Sequence, residues 1–93
     1  MSYTLILTRT TLNDLDSVPL EISQRASSKI DSLAEVPRPK VSKKLKGAES
    51  IYRIRIGDWR VLYAVDDRIR EIIIHRVSHR SEVYSKKQLE SLN

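Results

Sequence analysis

Between Ser50 and Asp66 the residue types alternate with period two on both sides of Gly57-Asp58. Side chains alternate across a pleated strand, and a two-residue connection opening with glycine at a φ > 0 position suits a tight hairpin. The pair therefore predicts a turn that fixes register, with Ile56 opposite Trp59, Arg55 opposite Arg60, Ile54 opposite Val61 and Arg53 opposite Leu62. One face then carries Tyr52, Ile54, Ile56, Trp59, Val61, Tyr63 and Val65, a set that has to be buried. The other carries Ile51, Arg53, Arg55, Arg60, Leu62 and Ala64.

Two arginines directly opposite each other, with a third one step along, are costly, because like charges at cross-strand distance destabilise a sheet. No acid lies on that face of the hairpin. Two readings fit: arginines splayed into water, or a cluster that expects an anion from outside. The anion that best suits the planar guanidinium fork is a phosphate.

The remaining chain supplies the layer that covers the apolar face. Tyr3 to Arg9 alternates and is expected to be a first strand. Thr11 with Asp14 three residues on predicts a capping box opening a short helix, with Leu12, Leu15 and Val18 on one side. After Pro19, the positions Ile22, Ala26, Ile30 and Leu33 recur at helical spacing and predict a second helix from Leu20 to about Leu33. Pro37-Arg38-Pro39 ends it and begins a basic loop, Lys40 to Glu49, in which Arg38, Lys40, Lys43, Lys44 and Lys46 gather around Leu45. Asp66-Asp67-Arg68 predicts a turn into a last strand, Ile69 to Val77, where Ile72-Ile73-Ile74 is apolar on both faces. His75, alternating with Ile73 and Val77, is expected to be packed rather than to ligate. A tail from Ser85 to Asn93 has the spacing of a helical turn or two.

The expected fold class is α+β: a small antiparallel four-stranded sheet in the order β-α-α-β-β-β, two N-terminal helices packed on one face, and a short C-terminal helical tail. The 93 residues are expected to form one domain. Cysteine is absent, which excludes disulfides and thiolate metal sites, and no apolar run approaches the roughly 20 residues needed to span a bilayer. With no secretory signal pattern at the start, a cytoplasmic protein is expected. Seventeen Lys and Arg against twelve Asp and Glu give a net charge of +5, which favours an acidic or polyanionic partner.

Leu45-Lys-Gly47, then Tyr52-Arg-Ile-Arg-Ile-Gly-Asp-Trp-Arg-Val-Leu-Tyr63, then Val77-Ser-His-Arg80 and Glu82-Val-Tyr84 together resemble the RelE/ParE superfamily of toxins from type II toxin–antitoxin pairs, in its RelE-like branch. The resemblance covers nearly the whole chain. It implies a ribosome-dependent endoribonuclease that cuts messenger RNA in the A site, without metal or other cofactor. The 2′-hydroxyl attacks its adjacent phosphate, leaving a 2′,3′-cyclic phosphate and a 5′-hydroxyl. The family's active-site positions fall on Arg53, Arg55, Arg60, Arg80 and Tyr84.

Arg60 and Arg55 would hold the scissile phosphate, and Arg80 would lie near the leaving oxygen. Several relatives have lysine where Arg53 and Arg55 stand; arginine stays protonated and does not serve as a base. Tyr84 is then the candidate base, or else orients the hydroxyl and stacks on a nucleobase. His79 has the chemistry of an acid but fits a flanking RNA contact better. Arg38 and the lysines Lys40, Lys43, Lys44 and Lys46 are expected to bind ribosomal RNA backbone. The resemblance also implies a cognate antitoxin with an acidic segment that folds on binding. A ParE-like inhibitor of DNA gyrase and an inactive RNA- or partner-binding module on the same fold are the competing readings.

Overall fold

The computed structural model describes residues 2–45 and 50–81. In chain order the elements are β1 (Thr4–Leu7), α1 (Arg9–Ser17), α2 (Leu20–Leu33), β2 (Lys43–Lys44), β3 (Ile51–Ile56), β4 (Trp59–Asp66) and β5 (Glu71–His79). The strands make one sheet in the order β1-β5-β4-β3-β2.

The α+β class stands, but the sheet is five-stranded and mixed rather than four-stranded and antiparallel. β1 runs parallel to β5, pairing Leu5 with Ile72 and Leu7 with Ile74, while the other neighbours are antiparallel. The alternation of a four-residue strand is the same read in either direction, so it sets the buried face and not the partner's sense. The fifth strand comes from the stretch expected to be loop: Lys43 pairs with Arg53 and Lys44 with Tyr52. A very short lysine-bearing edge strand offers little template to another chain. The C-terminal helical turn expected after Ser85 lies outside the described residues, as do Lys46 and Tyr84.

The hairpin has the predicted register throughout, from Ile56 opposite Trp59 to Ile51 opposite Ala64. Gly57 takes φ +59°, the conformation for which a glycine is needed at the first turn position. The predicted apolar face packs under the helices. Ala26, Ile30 and Leu33 of α2 join Ile54, Ile56, Val61, Tyr63, Val65, Ile72, Ile74 and Val77 in one core, with Val18 at its margin. Each large aliphatic side chain buried there contributes about 1.5–3 kcal/mol against exposure.

α1 differs from expectation at its start and in its buried side. It begins at Arg9, and its cap is Thr8, whose Oγ1 accepts from the Thr11 amide at 3.1 Å. Leu12, expected on the buried side, is 50% exposed. The residues that looked like a capping box serve the sheet instead. β1 ends at Leu7, so the edge of β5 beyond Ile74 has no strand beside it. Thr11 Oγ1 donates to the Ile74 carbonyl at 2.6 Å, and the Asp14 carboxylate accepts from the Val77 amide at 2.9 Å. Asp14 also pairs with the Arg76 guanidinium at 3.2 Å. Side chains of α1 thus continue the ladder where the strand stops.

β5 carries a bulge. Leu62 pairs with Arg76 but Tyr63 pairs with Ile74, which leaves His75 as the extra residue. Ile73 and Val77 therefore do not share a face with His75 between them, as simple alternation predicted; Ile74 and Val77 are the core residues on either side of the bulge. His75 is buried, and burial lowers its pKa from the usual 6.5 by disfavouring the imidazolium.

Candidate nucleic-acid interface

Strand pairing brings the cations together on the face away from the helices. Arg55 and Arg60 are direct cross-strand partners and Arg53 is opposite Leu62, two residues along. β2 sets Lys43 beside Arg53. Lys40, Val41 and Lys43 join Arg53 and Arg55 in lining an open cleft of about 440 Å³. Arg55 is exposed, whereas Arg53 and Arg60 are half-buried.

β4 runs on to Asp66, so the hairpin face does carry an acid, contrary to expectation, and it pairs with Glu71 at the far end of the sheet. Arg60 is six residues from Asp66, which is about 20 Å along a strand. At that distance an exposed charge lies well beyond the screening length of roughly 8 Å at physiological salt. Among the described residues, these two acids therefore do little to offset the charge of Arg60. Between the two ends lies an apolar strip in which Ile51 and Leu62 are buried.

Arg80 follows the end of β5 at the hairpin turn. Its amide donates to the Asp58 carbonyl at 2.7 Å, and its Nε is 3.5 Å from the Asp58 carboxylate. Both side chains are about two-thirds exposed, 66% and 64%, so the pair holds Arg80 only weakly. The residue is at the same end of the sheet as Arg55 and Arg60.

Three expected contacts lie elsewhere. Arg38 grips Asp67 with Nη1 and Nη2 at 3.2 and 2.8 Å and donates from Nε to the Tyr52 hydroxyl at 2.8 Å. Tyr52 projects from the helix-covered face and stacks on Tyr63, their ring centroids 5.7 Å apart. The Tyr3 hydroxyl completes the group by donating to Asp67 at 2.7 Å. Arg38 and this tyrosine hold the Asp67 carboxyl below its ordinary pKa. Arg38 is therefore a fastening residue, and its fork is already occupied. His79 pairs with Trp59, edge to face at 5.1 Å, and so lies on the helix side of the sheet rather than among the arginines. Its Nδ1 accepts from the Ser81 amide at 3.2 Å. Lys44, opposite Tyr52, also belongs to the other face.

One neighbour of the cluster escaped the sequence reading. Ser78 is the cross-strand partner of Arg60 on β5. The bulge at His75 displaces the register of everything after it, and no signal in the sequence marks that insertion.

A mixed sheet backed by two N-terminal helices, with an arginine-rich face turned away from them, fits the class of small α+β toxin domains to which comparison with known proteins points. The family described as ParE toxin of type II toxin-antitoxin system, parDE, matches residues 5–84. A protein of Methanocaldococcus jannaschii named RelE1 is 37% identical over 89 residues, covering 90% of this chain and 97% of that one. Among solved structures, the RelE–RelB complex of Pyrococcus horikoshii contains a chain of 28% identity and TM-score 0.77, over 89% of this chain and all of that one. The RelBE2 complex of Mycobacterium tuberculosis gives 31% identity and TM-score 0.73, over 86% of this chain and 100% of that chain. The chain belongs to the RelE/ParE superfamily of toxins of type II toxin–antitoxin systems. No helix among the described residues is long and apolar enough to cross a membrane.

Proposed function

We propose that this chain, acting as a single domain in the cytoplasm, is a ribosome-dependent endoribonuclease that cleaves messenger RNA in the A site. The observation that carries the reading is the arginine cluster: Arg53, Arg55 and Arg60 on one face, joined by Lys40 and Lys43, with the acids of that face at its far end. The RelE relatives support it. The substrate's 2′-oxygen forms a bond to the adjacent phosphorus while the bond from phosphorus to the 5′-oxygen breaks. Negative charge on the non-bridging oxygens grows on the way, and pre-placed guanidinium donors are worth most where charge develops. Arg55 and Arg60 bind those oxygens. Arg80, released from its weak contact with Asp58, stabilises the charge on the departing 5′-oxygen, which takes its proton from water. Tyr84 takes the 2′-hydroxyl proton as a phenolate, the form that nearby positive charge favours in any phenol.

The cognate partner is an antitoxin with an acidic segment that folds against the basic face, in line with the RelB-bound state of the two solved relatives. The test is primer extension on messenger RNA bound to programmed ribosomes. Wild-type protein should give discrete A-site cuts and leave free RNA nearly untouched. Arg60→Ala should lower the cleavage rate roughly 10²–10³-fold, the usual loss for one well-placed oxyanion donor. Intact messenger in the presence of folded wild-type protein rules the reading out. The match to the ParE family favours a second reading, inhibition of DNA gyrase, and a supercoiling assay decides it directly.

A further inference from the structure

Arg60 on β4 and Ser78 on β5 are direct cross-strand partners, so both side chains rise from the arginine-bearing face with Cβ atoms roughly 4.5–5.5 Å apart. Ser78 is wholly buried, at 0% exposure. Among the described residues its Oγ has no hydrogen-bond partner, and neither has the Nε of Arg60, which is buried as well. A buried hydroxyl left unpaired is destabilising in a way that an alanine at the same place is not. Other buried positions of β5 are filled by Ile72, Ile74 and Val77. The serine hydroxyl thus has no bond to offset its burial among the described residues, and it stands on the strand position facing an arginine whose Nε is also buried and unpartnered.

We infer that Ser78 is a positioning residue for Arg60. When the guanidinium turns onto a phosphate, its Nε–H donates to Ser78 Oγ, and this inner bond fixes the plane of the fork so that Nη1 and Nη2 face the anion. Arginine's donors have a rigid planar arrangement, so one fixed N–H sets the direction of the others. The hydroxyl is satisfied only in the anion-bound state, which tilts Arg60 toward that state. The inference rests on the reading of this face as phosphate-binding.

The test uses Ser78→Ala and Ser78→Thr in the full chain with two readouts. One is messenger cleavage on programmed ribosomes. The other is hydrogen exchange of the Arg60 Nε–H, followed by ¹⁵N NMR with and without inorganic phosphate and assigned with Arg60→Lys. Ser78→Ala should lower kcat about tenfold with KM little changed, while its urea midpoint stays level or rises. It should also lose the phosphate-dependent protection of the Arg60 Nε–H that the wild type shows. Ser78→Thr, which keeps the hydroxyl, should restore both; if its extra methyl does not fit, the alanine variant's exchange decides alone. Unchanged kcat together with unchanged protection overturns the inference, and so does a loss of cleavage that only tracks a lowered urea midpoint. Wild-type protein that cuts no messenger yet shows Ser78-dependent protection removes the nuclease reading and leaves the positioning role standing.

Discussion

His75 occupies the single extra position of β5, and its burial depresses its pKa below the ordinary 6.5. The sign of the consequence follows from proton binding. Above pH 7 the imidazole is neutral in both folded and unfolded chains and contributes no pH dependence. As pH falls through the unfolded value, the unfolded chain takes up a proton that the folded chain resists, so stability drops until the folded value is reached. Urea midpoints at pH 7.5 and 5.5 should therefore differ in the wild type, and the difference should shrink in His75→Gln. An equal difference in the variant would assign the effect to other groups. The same residue shows where single positions defeat the sequence: its type suggested a packed histidine, which it is, but its face depended on a bulge that leaves no compositional mark.

The hairpin and the α1–β5 junction are the elements on which the arginine face depends. Gly57 has φ +59°, and a Cβ built there meets nothing within 4 Å. The cost of Gly57→Ala is then conformational alone, about 1–2 kcal/mol for an L-residue in the left-handed region, read as a lower urea midpoint without a change in m-value. Asp14 has a different kind of importance. Removing its carboxylate leaves the Val77 amide and the Arg76 guanidinium without that acceptor, so Asp14→Ala should lose about 1–3 kcal/mol, with a smaller loss in Asp14→Asn, which keeps an acceptor oxygen. These two cases mark what was legible. Gly57-Asp58 names its turn and through it the register of six residue pairs, because the information is local. The roles of Thr11 and Asp14 are set by a strand more than sixty residues away, and the local pattern pointed to a cap instead. The parallel sense of β1 and the short β2 were hidden for the same reason: partners are chosen by tertiary packing, which alternation does not encode. The α2 stripe was legible in full, since Ala26, Ile30 and Leu33 needed only the helical period.

At the scale of the whole molecule, the net charge of +5 says less than its division between the two sides of the sheet. Lys40, Lys43, Arg53, Arg55 and Arg60 gather on the open side, whereas Arg38 spends its charge on Asp67 beside the helix-covered side. The sequence placed Arg38 and the lysines in one basic run, and only the fold separates them. Binding of RNA backbone releases counterions, so log Kd rises with log salt in proportion to the number of phosphates neutralised. If the open side meets RNA, Lys40→Gln with Lys43→Gln should weaken ribosome binding and flatten that salt dependence by roughly one unit per lysine. Arg38→Ala should do the opposite pair of things. It leaves the salt slope unchanged, and it lowers the urea midpoint, because Asp67 and Tyr52 lose the group that joins them. A titration of ribosome binding against potassium chloride for the three proteins separates the alternatives. Equal flattening by Arg38→Ala and by the lysine changes would mean that total charge, not the arginine-bearing face, governs attachment to RNA.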